Sequence, residues 1–148
     1  MRHGHDQPTR LRNQEPSTLP SLEAFIAFLP VADLSATHHF YGELLGLPLA
    51  LDQGTCRIYR VAGGGYVGFC ERDDASPAPG VIVTLVTTEV DVWYDRLQAT
   101  GIQTDGPPRY NERYGIYHFF ASDPDGWSVE VQCFEDPLEV PSRAARNV

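Results

Sequence analysis

Two stretches of this chain repeat one order of elements, and the duplication limits the fold more than any single motif does. The apolar run Phe25–Val31 is broken at Ala32-Asp33. Asp33 or Ser35 then caps a helix carrying Phe40, Tyr41, Leu44 and Leu45 at helical spacing, and Gly46 stops it. The apolar run over residues 81–86 leads through Thr87-Thr88-Glu89 into a second helix with Val90, Trp93, Tyr94 and Leu97, stopped by Gly101. Short strand candidates follow each helix, over residues 49–51, 56–61 and 66–70 in the first half and 102–104, 116–121 and 128–134 in the second. Each half reads β-α-β-β-β, so the expected fold class is α+β.

The last strand candidate is entered through Asp123-Pro124-Asp125-Gly126. Proline presets φ for a type I turn, aspartate bonds back to the local backbone and glycine accepts the positive φ that follows, so a hairpin is predicted. Beyond it, Val129, Val131 and Cys133 fall on one face of the strand, with Ser128, Glu130 and Gln132 on the other. A carboxylate at the centre of a strand is thereby aimed at one side of a sheet, where it either meets water or serves a site.

The two halves, with Val-x-Asp-Leu at Val31 to Leu34, Leu-Gly-Leu at Leu45 to Leu47, and Asp-Pro-Asp-Gly followed by Val-Glu-Val at Val129 to Val131, together resemble the vicinal oxygen chelate superfamily. This is the glyoxalase I, bleomycin-resistance and extradiol-dioxygenase group. The resemblance implies two modules, over 21–74 and 80–136 of a single domain spanning 21–136, each a curled mixed sheet with its helix outside, combining around a cleft. It also implies a divalent ion held by His and Glu side chains, acting as a Lewis acid on vicinal substrate oxygens or on dioxygen. Carried over one at a time, the ligand positions fall on Ile26, Gly68, Ile82 and Glu130. Only Glu130 can ligate. Because a catalytic metal needs about three protein ligands, neither a metal nor any other cofactor is expected. Two rescues are open: Glu71 could swing in, or His118 could join Glu130 across the hairpin.

Register decides the second rescue. If the loop ends in a one-residue glycine bulge, Glu130 opposes Phe120 and shares a face with His118. With an even count, Glu130 opposes Phe119 and shares a face with Tyr117. His118 is otherwise a structural histidine, and His38 and His39 read as solvent or packing groups.

At 148 residues the chain is long enough for one self-sufficient core. Its formal net charge of −9 argues against nucleic acid as a partner, since phosphate binding needs clustered Lys and Arg. No stretch approaches the roughly 20 apolar residues of a membrane span. Cys56, Cys70 and Cys133 read as packing residues in a reducing, cytoplasmic setting. Residues 1–20 and 137–148 show no periodicity and read as a flexible N-terminal segment and a C-terminal tail. His3 belongs to the first of these.

What replaces the metal is apolar surface and aromatic rings. The expected ligand-binding set is Phe28, Tyr59, Tyr66, Tyr117, His118, Phe120, Trp127 and Glu130, with Ile26, Cys70, Ile82, Thr84 and Val86 on the same cleft face. Such a site suits a small aromatic or cationic molecule stacked on rings and held by Glu130. By analogy with the bleomycin-resistance type, the expected function is metal-free binding and sequestration by a homodimer. The alternative is a lyase, isomerase or dioxygenase-like enzyme using Glu130 as its general base or in an atypical metal site.

Overall fold

The computed structural model describes residues 19–139, so the expectations for residues 1–18 and 140–148, His3 included, fall outside the described residues. In chain order the elements are β1 (Phe25–Val31), α1 (Leu34–Thr37) continued by a π-helical stretch (His38–Leu44), β2 (Leu49–Asp52), β3 (Cys56–Ala62) and β4 (Gly65–Glu71). The second module follows with β5 (Ile82–Val86), α2 (Val90–Ala99), β6 (Arg109–Asn111), β7 (Ile116–Ser122) and β8 (Ser128–Phe134). They form two four-stranded mixed sheets, ordered β1-β4-β3-β2 and β5-β8-β7-β6. In each, the first strand runs parallel to the last and the remaining pairs are antiparallel. The α+β fold of two β-α-β-β-β modules is the one expected.

Local chemistry accounts for the boundaries. Asp33 caps α1 by accepting the Ser35 amide at 2.8 Å. Gly46 and Gly101, at φ +70° and +76°, end the two helices in the left-handed region. Within the π-helical stretch, a Cβ on Gly42 would stand 2.6 Å from the His38 ring, so only glycine lets that ring fold back along the helix. His38 Nδ1 there bonds the buried Tyr59 hydroxyl at 2.8 Å, while His39 pairs with Glu43 in solvent.

The helices define the inner faces of the sheets. Tyr41 packs on Phe69 of β4, and Tyr94 of α2 packs edge-on against Phe119 of β7. Val129, Val131 and Ala121 join Phe119, and with Leu29, Val31, Phe40, Val90 and Leu97 they make one core drawn from both modules. The β7–β8 turn locks the modules together. Tyr41 donates to Asp123 Oδ2 at 2.8 Å, the Ala32 amide donates to Asp125 Oδ1 at 2.7 Å, and Trp127 Nε1 donates to the Pro30 carbonyl at 3.0 Å. Asp123 Oδ1 meanwhile accepts the Asp125 and Trp127 amides. Desolvation of Asp123 raises its carboxyl above the usual range, against the bonds from Tyr41 and the two amides.

Two expectations fail. Residues 102–104 do not form a strand: Thr104 makes a single bridge to Ala121, and the outer strand of the second sheet is β6 instead. Gly106-Pro107-Pro108 explains the displacement, since prolines offer no amide to a ladder and the chain must turn before it can pair again. Cys56 and Cys70 are not free packing residues. They face each other across β3 and β4, with Cα atoms 4.1 Å apart, and are joined as a disulfide; Cys133 remains free. Among the described residues no helix is long and apolar enough to cross a membrane.

Candidate functional site

The β7–β8 pairing places Phe120 opposite Glu130 and His118 opposite Gln132, so the register is the one that brings His118 to the glutamate's side of the sheet. Phe119 and Tyr117 point the other way, toward α2. On the face away from the helix lies a cleft of about 470 Å³ lined by Ile82, Ile116, His118, Phe120, Glu130 and Gln132, with Phe134 at its side and Asn111 and Tyr114 from the β6–β7 region. Asp105 steadies this strand by accepting the Phe120 amide at 2.9 Å. Burial works to raise the Asp105 carboxyl, but the Arg109 and Phe120 bonds outweigh it and hold it below the usual carboxylate range.

Glu130 is only 7% exposed, so the solvent-facing reading of this carboxylate does not hold. Its Oε2 lies 2.7 Å from Nδ1 of His118, itself 6% exposed, and its Oε1 accepts from Thr84 Oγ1 at 3.2 Å. A carboxylate can only accept, so in the neutral imidazole Nδ1 carries the proton and Nε2 the lone pair. Among the described residues no group bonds Nε2, and that atom is not sealed from solvent. The His118 ring stands edge-on to Phe120, 5.4 Å between centroids. The result is an apolar hollow with one oriented imidazole at its wall.

Of the residues expected at the site, His118, Phe120 and Glu130 come together. Phe28 and Tyr66 line a neighbouring groove of about 310 Å³ between β1, β4 and β5, which shares Ile82 with the first cleft. Tyr59 and Trp127 are corrections: both are buried in the core, because each lies on the helix-facing side or in the turn beneath it. Tyr117 is a third, since its hydroxyl reaches Asp91 of α2 at 2.5 Å, a bond that pushes it up to about 12. Glu130 does not stand alone to grip a ligand, as both its oxygens are engaged. Sequence reasoning missed Ile116, Gln132 and Phe134 as lining residues, although strict alternation from His118 and Glu130 points to all three. Asn111 and Tyr114 carry no comparable signal.

The residues do not fit the metal that the fold family implies. By register, the pair Phe28 and Gly68 in module one stands where Thr84 and Glu130 stand in module two, and the bridged Cys56 and Cys70 stand where His118 and Gln132 do. A Cβ on Gly68 would lie 2.5 Å from the Phe28 ring, so that ring occupies the space a ligating side chain would need. Ile26 and Ile82 offer no donor atom. Glu71, the other rescue, is engaged as a cap: its Oε2 accepts the Leu34 amide at 3.0 Å. Among the described residues no group of three or more His, Cys, Asp or Glu side chains is placed to hold a metal ion. Elemental analysis of purified protein is therefore expected to find well under one tightly bound zinc, iron, nickel or manganese per chain. A stoichiometric ion lost on Glu130→Ala would contradict this.

The fold and this cleft define a duplicated β-α-β-β-β protein of the vicinal oxygen chelate type. The profile described as Glyoxalase/Bleomycin resistance protein/Dioxygenase superfamily matches residues 23–131, and the chain belongs to that superfamily. No curated protein matches the sequence. Among solved structures, the lactoylglutathione lyase of Agrobacterium tumefaciens is similar at 25% identity, covering 77% of this chain and 94% of its own, with a TM-score of 0.61. A glyoxalase/bleomycin resistance protein/dioxygenase from Nocardioides is similar at 20% identity over 85% of this chain and 92% of its own, with a TM-score of 0.61. Another from Alicyclobacillus acidocaldarius is 20% identical over 76% of this chain and 92% of its own, with a TM-score of 0.62.

Proposed function

We propose that this protein binds and sequesters a small molecule with a flat apolar body in the module-two cleft, without a metal. The observation that supports it is the buried His118–Glu130 pair, 2.7 Å apart, set in a cleft of otherwise largely apolar lining. Ile82, Ile116, Phe120 and Phe134 supply contact area for the body of the ligand, and the imidazole supplies one directional polar contact. Glu130 acts through His118 by fixing its tautomer and its orientation.

A thermal-shift screen of small-molecule libraries identifies the ligand class, because a ligand that binds only the folded state raises its apparent stability. Calorimetric titration of a hit against wild type and Glu130→Gln then tests the site. The nearly isosteric variant is expected to keep the fold and to weaken binding by about 1.5–3 kcal/mol, the range for a hydrogen bond involving a charged group. Equal affinities would place the site elsewhere.

The same reading includes a homodimer. On the open face of module one, Ile26, Phe28 and Leu51 are 39%, 52% and 51% exposed, apolar surface that a second copy would cover. Light scattering at micromolar concentration is expected to give twice the 16.5 kDa chain mass, and a clean monomer would contradict the pairing.

A further inference from the structure

We propose that His118 is a base, and that the cleft holds its ligand as an anion by taking the proton of an acidic hydroxyl, so that the ligand class is phenols and enols. The inference rests on the binding reading above and specifies its chemistry. Three features carry it. In its neutral form the imidazole presents a lone pair, not an N–H, to the cleft, because the Glu130 carboxylate 2.7 Å from Nδ1 can only accept and so keeps the ring proton on that nitrogen. A ligand head group must therefore donate. The carboxylate behind the ring is itself fixed, with Thr84 on its second oxygen at 3.2 Å, so it is preorganised to stabilise an imidazolium. Beside the ring, the Gln132 side chain lines the same cleft and makes no hydrogen bond to another described residue, which leaves its amide N–H free to meet an oxyanion.

The step balances within the complex. The ligand O–H bond breaks with its electron pair remaining on oxygen, Nε2 uses its lone pair to form the new N–H bond, and no oxidant or reductant enters. The product is an imidazolium flanked by two anions, Glu130 behind it and the ligand oxyanion in front. A cation would gain less at this site: both oxygens of Glu130 are occupied, and a quaternary or fully bonded cation has no proton to give Nε2. This narrows the aromatic or cationic ligand expected from sequence to the aromatic, hydroxyl-bearing kind.

Substituted nitrophenols are the probe, because their phenolate absorbs at longer wavelength than the phenol. In the full chain, at a pH where most of the free probe is neutral, binding is expected to raise the phenolate-to-phenol ratio at least tenfold, equivalent to about one unit of probe pKa. Nitrogen-edited NMR of the wild-type complex should show both His118 ring nitrogens protonated. Glu130→Gln is expected to bind the probe more weakly and to lose most of the spectral change, and His118→Asn to lose all of it, with circular dichroism confirming that each variant is folded. Binding with the probe remaining neutral, or with Nε2 unprotonated in the wild-type complex, overturns the inference and leaves the binding reading in place. Failure of every nitrophenol to bind at millimolar concentration also overturns it. The binding reading itself falls only if the broad library screen finds no ligand.

Discussion

Asp123→Ala is expected to destabilise the protein by about 3–4 kcal/mol, among the larger effects a single substitution can have here. The carboxylate accepts the buried Tyr41 hydroxyl and the Asp125 and Trp127 amides, and alanine leaves all of these donors without their partner. Asp123→Asn keeps the shape and an acceptor oxygen, so its cost should be much smaller. The two variants together separate loss of the hydrogen bonds from loss of the charge. Denaturant unfolding across pH adds a second readout. Because desolvation raises the folded-state Asp123 pKa above its unfolded value, the associated stability is fully present below the unfolded pKa and is lost as pH rises through the folded one. Wild type should therefore lose stability relative to Asp123→Asn as pH rises through the acid range. A constant difference between the two would show that the buried carboxyl titrates as an ordinary one.

The second large effect is expected from the bridge between β3 and β4. Cys56 and Cys70 lie 14 positions apart in the chain, and closing a loop of this size removes denatured-state entropy worth roughly 3 kcal/mol. Reduction, or the double change Cys56→Ser with Cys70→Ser, should lower unfolding stability by about 2–3 kcal/mol, while Cys133→Ser should leave the response to reductant unchanged. The bridge lies in module one and the cleft in module two, so ligand affinity should survive its removal at temperatures where the protein stays folded. A midpoint indifferent to reductant would show that the two sulfurs are not joined.

The architecture was legible because it is written twice. Two apolar runs, two helices and two glycine stops repeat in order, and the β7–β8 register follows once the turn at Asp123 to Gly126 is known to oppose Phe120 to Glu130. The aromatic residues were less legible. Tyr59 and Tyr117 occupy strand positions of the right composition for a pocket, but a side chain's face depends on register, and register in a hairpin turns on a single residue. Trp127 reads as a pocket ring until its indole is seen to donate to Pro30, across the boundary between modules. The cross-strand alignment of Cys56 with Cys70 likewise depends on pairing between β3 and β4 that cysteine spacing alone does not reveal.

The turn at Asp123 to Gly126 has one more consequence. Its side chains and the indole beside it are bonded to the end of β1, to Ala32 in the link from β1 to α1 and to Tyr41, and the residues above and below it belong to a core shared by both repeats. Neither repeat therefore owns a complete interior. Cut apart, each would expose the surface that the other covers and strand polar groups that the other satisfies, so the duplicated unit that is visible in the sequence is not a unit of stability. The whole chain is the cooperative unit, and melting should proceed as one event, with the most slowly exchanging amides drawn from β1, β4, β7 and β8 together.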